Sequence, residues 1–328
     1  MNYRRRNPIV RRKTVKGQCR NIQAFAGASM AVLGVAFTVL MWSTLATSVN
    51  LLHGVPTLFV NGVALTLGGL LGLPWAKYWK LPIRLVLLGS GLLFVYHVIY
   101  FFALQLGDPI GVSLVHYLWP VIIVCLSGGL ATGGPQRKTM LLSVALGFGG
   151  AAAACWSVEQ PTSVAGATAF GEQHLTYEVA AYLLALLSAF AWAAYSVLGK
   201  RYRNISSLSV GAFSLPAGLA CLVMHFASGK TPTLTAQDWM VLVYMGLGPM
   251  GIAFYLWDFG MKKANTSVTT AVSYATPVLS TVFLALNMPQ RLPAALWVGV
   301  AMVAASVIVA RAATGMSVPP TASCETMR

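Results

Sequence analysis

The sequence predicts an all-α polytopic membrane protein of ten transmembrane helices, folded as two inverted five-helix repeats. Composition, the alternation of charge from one side to the other and an internal repeat carry that prediction. Of 328 residues, 57% are hydrophobic and 9% charged, with mean hydropathy +0.71. A soluble domain carries roughly 25% charged residues. The apolar stretches exceed the ~18 residues of a spanning helix, and none has the ~10-residue alternation of an outer-membrane barrel.

In chain order, the apolar runs place spans at about 22–48, 54–75, 83–105, 110–131, 139–157, 178–199, 207–227, 238–260, 267–287 and 294–313, with ends good to a few residues. The first run is much longer than the 7–15 residues of a signal h-region, so it reads as a retained helix. Pro74, Asp108-Pro109, Gly133-Gly134-Pro135, Pro161 to Tyr177, Gly229 to Pro232 and Pro289 to Pro293 mark the connections. The domain plan is a basic tail over 1–21, a first repeat over 22–157, a loop over 158–177, a second repeat over 178–313 and a tail over 314–328.

Positive charge collects in the N-terminal tail, in Lys77/Lys80/Arg84, in Arg137/Lys138, in Lys200/Arg201/Arg203 and in Lys262/Lys263, which are every second connection. The alternate connections carry Asp108, Glu159, Glu172, Glu178 and Asp238, with only Lys230 and Arg291 against them. The positive-inside rule then puts both termini in the cytoplasm. The net charge of +15 is a topology signal of this kind, so the partner is a lipid bilayer and not nucleic acid. Cys19, Cys125, Cys155, Cys221 and Cys324 show no paired spacing, which predicts neither disulfide nor metal site.

Gly89, Gly91, Phe102, Val115, Tyr117, Pro120 and Val121 recur as Gly246, Gly248, Phe259, Val272, Tyr274, Pro277 and Val278 at one constant offset. Each set is an apolar helix, a short break and a helix with Tyr-x-x-Pro in its middle. Trp42 in the first span has a plausible partner in Trp192 in the sixth. Five spans before the repeat of five force the halves into opposite orientations, which is a transporter architecture. Pro120 and Pro277 bend their helices by removing a backbone hydrogen bond.

Polar groups kept inside spanning helices usually face the bundle interior. Tyr96, His97 and Tyr100 cover adjacent parts of one helix face, with Tyr117 and Trp119 on the next helix. They read as the wall of a site in which tyrosine rings stack on an apolar or aromatic substrate while hydroxyl and imidazole bind its polar end. A packed interior role is the alternative for His97, and core packing is the reading for His116. Trp257 stands where the repeat puts Tyr100, so the two could act as thin gates at opposite ends of a cavity; an interface-belt tryptophan is the competing reading. Trp42 and Trp192, with Tyr195 one turn on, invite the same pairing, and Tyr274 is the counterpart of Tyr117. Asp258 lies four residues before Lys262 and reads as its ion-pair partner. Gly27, Gly34, Gly62, Gly68, Gly69, Gly147, Gly149 and Gly150 would allow close helix approach.

Tyr117-Leu118-Trp119-Pro120, preceded by Tyr100-Phe101-Phe102-Ala103-Leu104, within ten spans of five plus five, resembles the EamA-type members of the drug/metabolite transporter superfamily, and among them the aromatic amino-acid exporters. The resemblance runs from Ala24 to Ala313. It implies the drug/metabolite transporter fold in the cytoplasmic (inner) membrane of a bacterium. It further implies a monomer without cofactor that exports aromatic and other neutral amino acids by alternating access. A nucleobase, nucleoside or other planar neutral metabolite would suit the same lining. The spans hold no interior Lys or Arg for a nucleotide sugar and no first-span carboxylate for a cationic drug. No His-Glu-x-x-His, aspartate pair or serine–histidine set supports an intramembrane enzyme.

Overall fold

The computed structural model is all-helical over the residues it describes, which are 27–52, 54–107, 109–128, 134–156, 171–229, 231–286 and 294–313. The expected tails over 1–21 and 314–328 and most of the expected loop over 158–177 lie outside them. The helices are α1 (Gly27–Val49), α2 (Thr57–Leu70), α3 (Ile83–Leu106), α4 (Pro109–His116), α5 (Trp119–Leu126), α6 (Pro135–Trp156) and α7 (Gly171–Arg201). There follow α8 (Gly211–Ala227), α9 (Ala236–Leu247), α10 (Ala253–Lys263), α11 (Thr266–Ser273), α12 (Ala275–Leu286) and α13 (Ala294–Ala313). Helix occurs in each of the ten stretches the sequence marks out. By length and apolarity alone, five continuous segments suffice to cross a bilayer: Gly27–Val49, Ile83–Leu106, Tyr177–Arg201, Ser207–Ala227 and Ala236–Lys263. A sixth is the pair Thr57–Leu70 and Leu73–Trp79, bent by 79°.

The bounds have local causes. Pro82 precedes α3, and Pro135 opens α6 at the first helical position, where its missing N–H costs nothing. Thr235 and Asp238 form a capping box on α9, with Thr235 N–H and Oγ1 donating to Asp238 Oδ2 at 2.8 and 2.7 Å. The Asn265 side chain accepts from Ser267 N–H and starts α11. Helix α7 begins at Gly171, inside the segment expected as loop, because Glu172-Gln173-His174-Leu175 contains no breaker.

The expected eighth span is not one regular helix. Between α9 and α10 the chain makes a π-turn over Gly248–Ile252 with Pro249 at its start. The spans carrying Pro120 and Pro277 are also interrupted, one turn before each proline. Leu118 N–H bonds back to Val115 and Tyr274 N–H to Ala271, the tighter i−3 pattern. Proline has no N–H, so the carbonyls of His116 and Ser273 lose their regular helical partners.

Packing is close wherever glycine permits it. Helix α2 lies along α8, α6 along α13 and α3 along α7. A Cβ on Gly69 would come within 2.6 Å of Leu215 N, and one on Gly218 within 2.5 Å of Thr66 N. Helix α1 runs along α10, where Val35 sits against Gly260. Gly27 is the exception among the glycines singled out above, with no neighbour among the described residues within 4 Å of where its Cβ would stand. Gly218→Val should therefore push α8 off α2, at a cost of about 1–3 kcal/mol. Thermal unfolding of purified protein in detergent should show a clear drop in Tm, against no change for Gly91→Ala, which faces open space.

Candidate functional site

Four tryptophans from four helices meet in one cluster. Trp42 of α1 packs against Trp119 of α5, Trp192 of α7 and Trp257 of α10, with ring centroids 6.3, 5.4 and 5.2 Å away. Trp119 and Trp257 are 5.3 Å apart and nearly perpendicular, while Trp192 and Trp257 stack at 6.1 Å. Each such pair contributes about 0.5–1.5 kcal/mol beyond its buried area. Trp257 is 1% exposed, which rules out a belt position at the membrane interface. Its Nε1–H donates to Ser196 Oγ at 3.0 Å, and Trp42 Nε1–H donates to the Pro249 carbonyl at 3.0 Å.

A second group of rings adjoins the first. Tyr96 lies 5.1 Å from Trp192 and 4.3 Å from His97, and stacks on His116 at 5.5 Å. Tyr100 lies 4.1 Å from His116 and within 3.4 Å of Ser113 Oγ through its hydroxyl. Tyr117 reaches this group through His116, at 6.3 Å. Tyr195 stacks on Trp192 at 5.7 Å, and its buried hydroxyl has no hydrogen-bond partner among the described residues.

Both imidazoles have one nitrogen committed. His97 Nδ1 lies 2.7 Å from the Leu93 carbonyl, which can only accept, so Nδ1 carries the proton. Ser188 Oγ donates to the Ala185 carbonyl at 2.7 Å and so accepts from His116 Nδ1 at 2.9 Å. In each neutral ring Nε2 is then the acceptor.

The structure thus brings together Trp42, Tyr96, His97, Tyr100, Tyr117, Trp119, Trp192, Tyr195 and Trp257. It does not bring in Tyr274, which is 1% exposed in a separate cluster with Ala151, Val278 and Val303. Phe254 is a cluster member that sequence reasoning missed, 5.4 Å from Trp192 and 6.0 Å from His97. The available signal was its position, since Phe254 follows His97 at the same offset that relates Pro277 to Pro120. The expected ion pair is present, with Lys262 Nζ 2.5 Å from Asp258 Oδ2 and both side chains buried. Lys262 also donates to the Ile205 carbonyl at 3.0 Å, and Lys200 donates to Thr266 Oγ1.

The profile of the EamA-like transporter family matches residues 179–312. The aromatic amino acid exporter YddG of Ancylobacter novellus is 32% identical over 258 residues, covering 76% of this chain and 86% of that protein. Proteins of the same name from Salmonella typhimurium and Escherichia coli are 28% and 29% identical, each over 81% of this chain and 91% of theirs. A solved crystal structure superposes with a TM-score of 0.75 at 30% identity, over 86% of this chain and 97% of that one.

Ser196→Ala should leave the Trp257 indole N–H buried without a partner, at a cost of about 1–3 kcal/mol. A lower Tm in detergent, with near-ultraviolet circular dichroism reporting a loosened tryptophan cluster, is the expected result.

Proposed function

The chain belongs to the EamA-like transporter family, and on that premise we propose that it exports aromatic and other neutral amino acids by alternating access through the tryptophan-centred site. The observation that carries this reading is where the four tryptophans come from. Trp42 and Trp119 belong to the first half of the chain and Trp192 and Trp257 to the second, and all four meet in one contact. A site built jointly by two halves opens to one side or the other as the halves rock. The relatives named aromatic amino acid exporter support the substrate class.

Ten spans as two inverted five-helix repeats is part of the same proposal. Support comes from the matching interruptions after Tyr117 and at Tyr274, and from the pairing of α2 with α8 and α6 with α13. Residues at corresponding positions also face one another, as Trp42 does Trp192 and His97 does Phe254. The halves differ at Pro249, where the first half has Leu92 and an unbroken helix. The basic loops favour cytoplasmic termini in a bacterial inner membrane, and nothing in the site calls for a second copy.

A zwitterionic substrate needs acceptors for its ammonium and donors for its carboxylate. His97 Nε2, His116 Nε2 and the freed carbonyls of His116 and Ser273 are candidate acceptors. Tyr195 OH and the Asn61 amide, both buried without partners among the described residues, are candidate donors. Ser113 and Ser273 complete the candidate set. The indoles stack on the substrate's ring, with Tyr100 and Trp257 as thin gates, and Tyr274 supports the second proline break from behind. The buried carboxylate Asp258 is occupied by Lys262, so transport runs as facilitated movement or exchange.

In liposomes loaded with labelled tryptophan or phenylalanine, the wild type should give saturable efflux that is indifferent to a pH gradient. Trp119→Ala and His97→Ala should each lower it at least tenfold while retaining fold and insertion. Efflux no faster than from empty liposomes would overturn the amino-acid assignment and turn the search to nucleobases and other planar neutral solutes.

A further inference from the structure

Two connecting segments, one from each half of the chain, meet at one end of the bundle. Leaving α2, the chain bends by 79° into the short 3-10 helix Leu73–Trp79, and a second 3-10 turn, Ser207–Val210, leads into α8. Trp79 Nε1–H donates to the Leu208 carbonyl at 3.0 Å, and Ser209 Oγ donates to the Tyr78 carbonyl at 2.7 Å. The Trp79 ring lies over Gly72 and Gly211, where a side chain on either would collide with it. The elbow between α2 and α3 is therefore fixed from within, and its outer side chains are not needed to hold it.

Those outer side chains are of two kinds. Leu73, Trp75 and Tyr78 are 48%, 42% and 42% exposed. Among them stand the exposed Lys77 and Lys80, then Arg84 in the first turn of α3, with Arg201 and Arg203 exposed on the approach to Ser207–Val210. Neither 71–84 nor 199–211 contains Asp or Glu, and these five cations form no ion pair among the described residues. Lys77 Nζ sits 5.2 Å from the centroid of the Tyr78 ring, a contact that orders the cation without neutralising it.

What lies beside the cations follows from α3. Its exposed Ile83 and Leu87 flank Arg84, so the basic surface runs directly into a bare apolar helix face. In a chain of this hydropathy that face meets acyl chains, and the layer at its edge is the head-group layer, where exposed tryptophan and tyrosine settle. Lysine and arginine beside such aromatics suit anionic phosphates. A soluble acidic partner would use the cations but would leave Leu73, Trp75 and Ile83 in water.

We propose that this elbow binds the phosphodiester head group of an anionic glycerophospholipid in the leaflet on its own side, with Lys77, Lys80 and Arg84 donating to the phosphate and Arg201 and Arg203 adding to the field. The lipid anchors the start of the helix that carries Tyr96, His97 and Tyr100. This inference needs the chain to sit in a bilayer but does not depend on what it transports.

The full-length protein in phosphatidylcholine vesicles can be irradiated with added phosphatidylglycerol bearing a head-group diazirine, or with phosphatidylcholine labelled likewise, and the adducts mapped by peptide mass spectrometry. Native mass spectrometry in detergent then compares retention of the two lipids. The expected result is phosphatidylglycerol adducts concentrated in 73–84 and 201–203, and phosphatidylglycerol held about tenfold tighter than phosphatidylcholine. The triple variant Lys77→Gln/Lys80→Gln/Arg84→Gln should bring the two lipids level, while Lys77→Arg/Lys80→Arg, which keeps both charges, should retain the preference. Arg4→Gln/Arg5→Gln/Arg6→Gln should leave the adducts in 73–84 unchanged. Equal labelling of 73–84 by both lipids, wild-type preference in the triple glutamine variant, or loss of these adducts in the tail variant would each overturn the proposal. Displacement of the lipid by soluble glycerol phosphate at matched concentration would assign the cations to a free phosphate and overturn it too.

Discussion

The structure depends on one constraint, which is that hydrocarbon offers no hydrogen bonds to a broken helix. Three proline positions interrupt helices inside the bundle, at Pro120, Pro249 and Pro277. The polar side chains of α1 answer at the second and third interruptions. Trp42 Nε1 donates to the carbonyl of Pro249 itself, Thr38 Oγ1 to Ala253 at 3.1 Å and Ser43 Oγ to Thr276 at 3.2 Å. Each of these hydroxyls has a single proton, which Thr38 shares between Ala253 and the Gly34 carbonyl of α1, and Ser43 between Thr276 and the nearer Val39 carbonyl, as three-centre bonds. The first helix is thus fixed to the irregular part of the second half by side-chain-to-backbone bonds.

The same arrangement brings Trp42 to the centre. Its indole N–H is used to hold α1 in place and its ring to complete the cluster, so position and chemistry are supplied by one side chain. Ser196 does the corresponding task for Trp257 from α7. His97 and His116 are oriented by the Leu93 carbonyl and by Ser188 respectively. The rings therefore stand on polar contacts formed outside the ring contacts themselves.

Much of the fold was legible because a bilayer-spanning run must be long and apolar whatever it packs against. The breaks before Pro120 and Pro277 were legible because proline removes a defined bond. The π-turn at Gly248–Ile252 was not, since Pro249 sits in an apolar run like any other and its effect depends on α1 offering Trp42 nearby. Phe254 escaped notice because phenylalanine is ordinary in such a run. Tyr274 was grouped with Tyr117 by repeat position, yet its ring lies in the space left by Gly147 on α6. A motif shared by two stretches of sequence does not fix where its side chains pack, because each follows the room its neighbours leave.

The pair formed by Asp258 and Lys262 has a consequence for energetics. An unpaired charge carried across the membrane exchanges roughly 2.3 kcal/mol with each 100 mV of potential. Here the two charges are four residues apart on α10 and joined at 2.5 Å, so any movement of that helix carries them together. Opposite charges displaced through the same field do cancelling work. The membrane voltage therefore does no net work on the buried pair, and of the charges on α10 only Lys263, at its exposed end, is left for the field to act on.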